Sequence, residues 1–143
     1  MIIKIEDENE LIAMIIPVEH KSAGIEFFTP EEFTQQLAYM NRPSGYVIEP
    51  HLHHRVKREV HYTKEALFIR SGKVRVDFYN ENKVYLKSNI LNAGDVILLA
   101  KGAHGFEMLE ESDIIEIKQG PYVGEQDKTR FKSIETDEIK FDK

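Results

Sequence analysis

The chain contains no cysteine. Structural disulfides and thiolate metal sites are therefore excluded, and any metal must be held by His and carboxylate side chains. It has no run of about 18 or more apolar residues, so no membrane span is expected. An excess of positive charge is also missing. The 19 Lys and Arg stand against 25 Asp and Glu, and this net charge of −6 argues against a nucleic-acid partner. The opening Met1-Ile2-Ile3-Lys4-Ile5-Glu6 lacks the basic start and apolar run of a signal peptide, and the expected address is the cytoplasm. No internal repeat and no Pro- or Gly/Ser-rich linker divides the 143 residues, so a single domain over 1–143 is expected.

What is present is a composition, 41% hydrophobic and 31% charged, that can bury a core without staples. Short apolar runs at residues 2–5 and 11–16 read as edge strands. Thr29-Pro30-Glu31-Glu32 has the form of a helix start, with Thr as cap, Pro at the first helical position and Glu three residues after the cap. Phe33, Leu37 and Met40 then recur on one face, which predicts one short N-terminal helix of about three turns. From Tyr46 to Gln119 the period shortens to that of strands. Val74, Val76 and Phe78 alternate with Arg75, Asp77 and Tyr79, and turn formers recur every ~8–12 residues. This spacing predicts a mostly β sandwich or barrel with its core at about 43–122. Residues 123–143 read as a polar tail, broken only by Phe131, Ile134, Ile139 and Phe141, that wraps the barrel or a partner subunit.

Three of the six histidines fall in His51-Leu52-His53-His54. On a strand, His51 and His53 share a face and both reach one ion, while His54 faces away. Glu65 shares parity with Leu67 and Ile69, and His104 with Phe106 and Met108, so both point inward; Glu107 points out. An inward, ionised Glu is costly unless it is paired or coordinated. Three imidazoles and one carboxylate around a divalent cation meet that cost. His₃Glu suits Fe, Mn, Ni, Zn or Co rather than Ca or Mg. The competing readings are surface histidines at 51 and 53, a satisfied loop His104, and an edge-strand charge at Glu65.

These residues carry a family resemblance. Gly45 with His51-Leu52-His53, then Glu65 with Gly72, resembles the first cupin motif; Gly94 with Gly102-Ala103-His104 resembles the second. The resemblance covers residues 45–119. It implies a single antiparallel β-barrel of the jelly-roll (double-stranded β-helix) type, one metal held by His51, His53, Glu65 and His104, and a homodimer. The chain departs from the pattern in four ways, one of them a residue missing between Gly102 and His104. Eleven residues separate His53 from Glu65, a longer gap than the family's; Ala100 stands in place of Pro; and the later Asn of the second motif is absent. Glu59 and His61 lie inside the longer gap and compete for the third ligand place, but only Glu65 keeps the spacing to Gly72. A looser likeness extends to small bacterial cupins, some of them associated with surface-polysaccharide or nucleotide-sugar pathways.

The expected function is therefore that of a metal-binding cupin acting on a small polar metabolite such as a sugar phosphate or nucleotide sugar, as an isomerase or epimerase. A dioxygenase and a non-catalytic small-ligand binder are the alternatives, as is a metal-free epimerase-like site with a His base at 53 or 104 and Tyr62 as acid. Glu59, His61 and Tyr62 are the candidate catalytic groups. Arg55, Lys57 and Arg58, beside His54, form a basic cluster suited to an anionic substrate group, or simply a solvated loop. Gln119 shares parity with Ile115 and Ile117 and is a candidate for facing the cavity, with Glu116 and Lys118 on the opposite face.

Overall fold

The structure, a computed structural model, describes residues 1–141. Its strands are β1 (Ile3–Asp7), β2 (Glu10–Ile16), β3 (Gly24–Phe27), β4 (Ala38–Asn41), β5 (Glu65–Ser71), β6 (Lys73–Tyr79), β7 (Tyr85–Asn92), β8 (Val96–Leu99), β9 (Ala103–Met108) and β10 (Asp113–Lys118). The only helical elements among the described residues are short 3₁₀ turns at Gly124–Asp127 and Thr136–Glu138. No described helix is long and apolar enough to cross a membrane. Where the sequence led us to expect one continuous domain, the chain divides into two compact units. The first joins Met1–His20 to the chain from Tyr62 onward, and the second is Lys21–His61.

In the first unit, a five-stranded antiparallel sheet runs in the order β1-β2-β8-β5-β10 and a three-stranded one in the order β7-β6-β9. The two sheets share one core. Ile5, Ala13, Ile15, Leu67, Ile69, Ile97 and Leu99 come from the first, and Val74, Val76, Phe78 and Leu91 from the second. The strands are antiparallel as expected, but the described hydrogen bonds do not close into a barrel. Gly72, at φ +89°, turns the chain from one sheet into the other, and a Cβ there would collide with Glu111 and Ser112. A second corner is tied by Asp95, whose carboxylate accepts from the Val18 and Asn92 amides at 2.9 and 2.7 Å.

The expected core boundary also shifts, because β1 and β2 belong to the main sheet. β2 is not an edge strand: it lies between β1 and β8, with Ile12 to Ile16 all buried. A strand apolar on both faces is what its unbroken run of Leu and Ile dictates. The tail docks on the outside of the three-stranded sheet. Tyr79 stacks edge-on with Phe131 at 5.0 Å and accepts from the Ile134 amide, while the Ser88 amide donates to Lys140 O at 2.7 Å. Residues 142 and 143 of that predicted tail lie outside the described residues.

In the second unit, the predicted N-terminal helix is replaced by a hairpin. β3 pairs with β4, Phe27 opposite Ala38, and residues 28–37 form its loop. Thr29 does not cap a helix; its hydroxyl accepts from the Leu37 amide and donates to Gln36 Oε1. The Gln36 amide in turn donates to the carbonyls of Pro30, Glu31 and Phe33, the acceptors that a helix would have used internally. A helix of this length is marginal alone, and the side-chain network offers the backbone a competing set of bonds.

Candidate metal centre

Glu65 opens β5 and His104 is the second residue of β9, so they stand on different sheets. Strand alternation turns both inward. Glu65 shares its face with buried Leu67 and Ile69, and His104 shares its face with Phe106, which packs on the core. The two side chains meet, with His104 Nε2 3.1 Å from Glu65 Oε2. The carboxylate is largely withdrawn from water, its side chain only 12% exposed, and the imidazole is 30% exposed. The hydrogen bond from His104 holds the Glu65 carboxyl below its ordinary range, against the burial that pushes it up; the charges of His104 and Lys118 act in the same direction as that bond. The site therefore keeps an ionised carboxylate beside an imidazole, at the end of the core.

Two neighbours escaped the sequence reading. In the pairing of β10 with β5, Lys118 lies opposite Glu65, Glu116 opposite Leu67 and Ile114 opposite Ile69. Residues directly opposite each other share a face, so Glu116 and Lys118 stand on the same face as Glu65, both of them exposed on this edge strand, while Ile115 and Ile117 stand on the other face, 44% and 61% exposed. The expected parity is inverted. A shift in register at Asp113/Ile114 fixes this phase, and alternation alone gives no sign of it. Gln119 continues the ladder through its amide to Lys64 O at 3.1 Å, and its Oε1 is buried without a partner.

The remaining predicted residues lie elsewhere. His51 and His53 belong to the second unit and Glu65 and His104 to the first. The two imidazoles are neighbours, their ring centroids 5.1 Å apart, and the Glu49 carbonyl lies 2.9 Å from His51 Nδ1. They are not on a strand as expected. Residues 42–61 are irregular and exposed throughout, because Pro50 lacks a ladder donor and the crowded cations at Arg55, Lys57 and Arg58 offer no apolar face to bury. Arg55, Lys57 and Arg58 are thus solvated. Among the described residues Glu59 and His61 pair with each other at 3.8 Å, with three quarters of each side chain in water. Tyr62 is 53% exposed, with Lys101 Nζ 5.7 Å from its ring centre. Among the described residues no three His, Asp or Glu side chains are gathered as a metal-holding group; the structure brings together Glu65 and His104.

The donor types at that pair, one imidazole and one carboxylate, are ones a divalent transition metal takes, though two donors are fewer than the three or four of an ordinary protein site. An imidazole nitrogen and a carboxylate oxygen that share a proton are the same two atoms such an ion would take, and a buried anionic carboxylate favours the exchange. No protein-family model, curated protein or solved structure matches this chain.

Proposed function

We propose that the protein is a cupin-type β-domain that binds one divalent transition metal through Glu65 and His104. Its substrate is then a small polar metabolite of the sugar-phosphate or nucleotide-sugar kind, and its reaction an isomerisation or epimerisation. The contact between Glu65 and His104 across two sheets carries this reading. An ionised carboxylate held beside an imidazole at the end of an apolar core is the kind of charged pair that functional sites use. A metal there supplies Lewis acidity toward a carbonyl or hydroxyl. Glu65 holds negative charge at neutral pH, His104 moves or holds a proton at Nε2, and Lys118, on Glu65's face, offers a cation to an anionic substrate group.

One observation favours a second reading, a β-domain that binds its ligand without turnover. Glu59 and His61, two of the candidate acid–base groups, are solvated and pair with each other. Metal analysis of purified protein, followed by assay on nucleotide sugars and sugar phosphates with Mn²⁺, Fe²⁺, Ni²⁺, Zn²⁺ and Co²⁺, tests the enzyme. Turnover of any member supports it; metal binding with no turnover moves the assignment to the binder.

A further inference from the structure

The two sheets of the first unit treat their edges differently. On the three-stranded sheet, the free side of β7 is taken by the chain's own tail, where the Ser88 amide donates to Lys140 O and Ser88 bridges to Phe141. On the five-stranded sheet, β10 pairs with β5 alone among the described residues, and its other side is open. The Gln119 amide donates to Lys64 O, so by alternation Ile115 and Ile117 also turn their backbone groups toward β5. Glu116 and Lys118 therefore present their N–H and C=O to the open side. The register shift of β10 lies back at Asp113/Ile114, and the next proline is Pro121. Residues 114–118 thus form an unbroken template for another strand.

The side chains of this strand are sorted between its faces. Ile115 and Ile117, 44% and 61% exposed, share one face with Phe68, 39% exposed. Glu116 and Lys118 share the other face with Glu65. A second β10 laid antiparallel on the first must set each residue opposite one of the same face. A two-fold axis at Glu116 or at Lys118 opposes like charges, and one at Ile115 sets Glu116 against an isoleucine. An axis at Ile117 sets Glu116 against the partner's Lys118 and Lys118 against the partner's Glu116. It also packs Ile117 on the partner's Ile117. This register matches opposite charges twice, at the same residues whose backbone groups are free.

We propose that β10 is a self-pairing edge through which two copies of the chain associate, in an antiparallel ladder centred on Ile117 and fixed by reciprocal pairing of Glu116 with Lys118. Lys118 lies directly opposite Glu65, so the partner's Glu116 extends the row of side chains that leads to Glu65 and His104. The pairing goes beyond the metal reading and does not depend on it.

Sedimentation velocity on the full chain, loaded from about 10 µM to about 1 mM, tests the pairing. The wild type should dimerise, and Glu116→Lys or Lys118→Glu should each weaken the dimer roughly tenfold or more. An equimolar mixture of the two variants restores opposite charges at both positions and should form a heterodimer. A wild type that stays monomeric overturns the proposal. So do single variants that dimerise as tightly as the wild type, and a mixture that remains monomeric. If the variants do not fold, hydrogen exchange on the wild type reads the same contact. On dilution the Glu116 and Lys118 amides should exchange faster, while Ile115 and Ile117, turned toward β5, keep their rates. Exchange at Glu116 and Lys118 that is independent of concentration overturns the proposal.

Discussion

Glu65 Oε2 and His104 Nε2 lie 3.1 Å apart although their strands belong to different sheets. The contact depends on both sheets being packed in register, so it reports on the fold and on the site together. It also gives the site its charge state, since His104 is the largest influence holding the Glu65 carboxyl below its ordinary range.

Acid stability of the metal-free protein follows from that shift. The folded Glu65 pKa is depressed, so its contribution to stability is present above the unfolded carboxylate value, about 4.3, and is lost as pH falls through the lower folded value. Glu65→Gln removes this part of the acid limb. Urea midpoints measured from pH 7 down to pH 3 should fall less steeply in the variant than in the wild type; parallel curves would contradict the assignment.

A second test concerns the outer face of the three-stranded sheet. Arg75 donates to Asp77 at 2.9 and 3.1 Å, Ser88 Oγ donates to Asp77 at 2.5 Å, and Arg75 also meets Glu107 at 2.6 Å. The Arg75 and Asp77 side chains are 10% and 3% exposed. Asp77→Ala leaves a buried guanidinium with one partner fewer and should cost about 3 kcal/mol in denaturant unfolding. The double variant Asp77→Leu with Arg75→Leu should cost less than Asp77→Ala alone, because no uncompensated charge remains.

In the second unit, Gln36→Ala removes the donor to the Pro30, Glu31 and Phe33 carbonyls and the partner of Thr29. The loss should be about 1 kcal/mol, confined to the hairpin loop. Hydrogen exchange at the Phe28 and Leu37 amides should accelerate roughly fivefold while the Val76 amide is unaffected. Equal acceleration at both places would show that the network does not act locally.

Much of the architecture was legible in the residue pattern. Period-2 alternation placed β6, and the turn residues Asn92-Ala93-Gly94-Asp95 placed the corner before β8. The inward parity of Glu65 and His104 was readable because each shares it with apolar neighbours. Three things were not readable, each for a physical reason. The helix expected after Thr29 lost to side-chain bonds from Gln36, a competition between two local solutions that the capping pattern does not arbitrate. The face of β10 was inverted because Ile115 and Ile117 look like core residues, yet their register partners Phe68 and Ala66 stand on the outer face. His51 and His53 kept their spacing but not the strand on which their common face was argued.

The most direct measurement is Co²⁺ titration followed by visible absorption on the wild type, Glu65→Gln and His104→Ala. One equivalent should bind to the wild type, and Glu65→Gln or His104→Ala should weaken it at least tenfold. Full cobalt binding in both Glu65→Gln and His104→Ala, with an unchanged spectrum, would contradict the central claim that these two residues hold a metal.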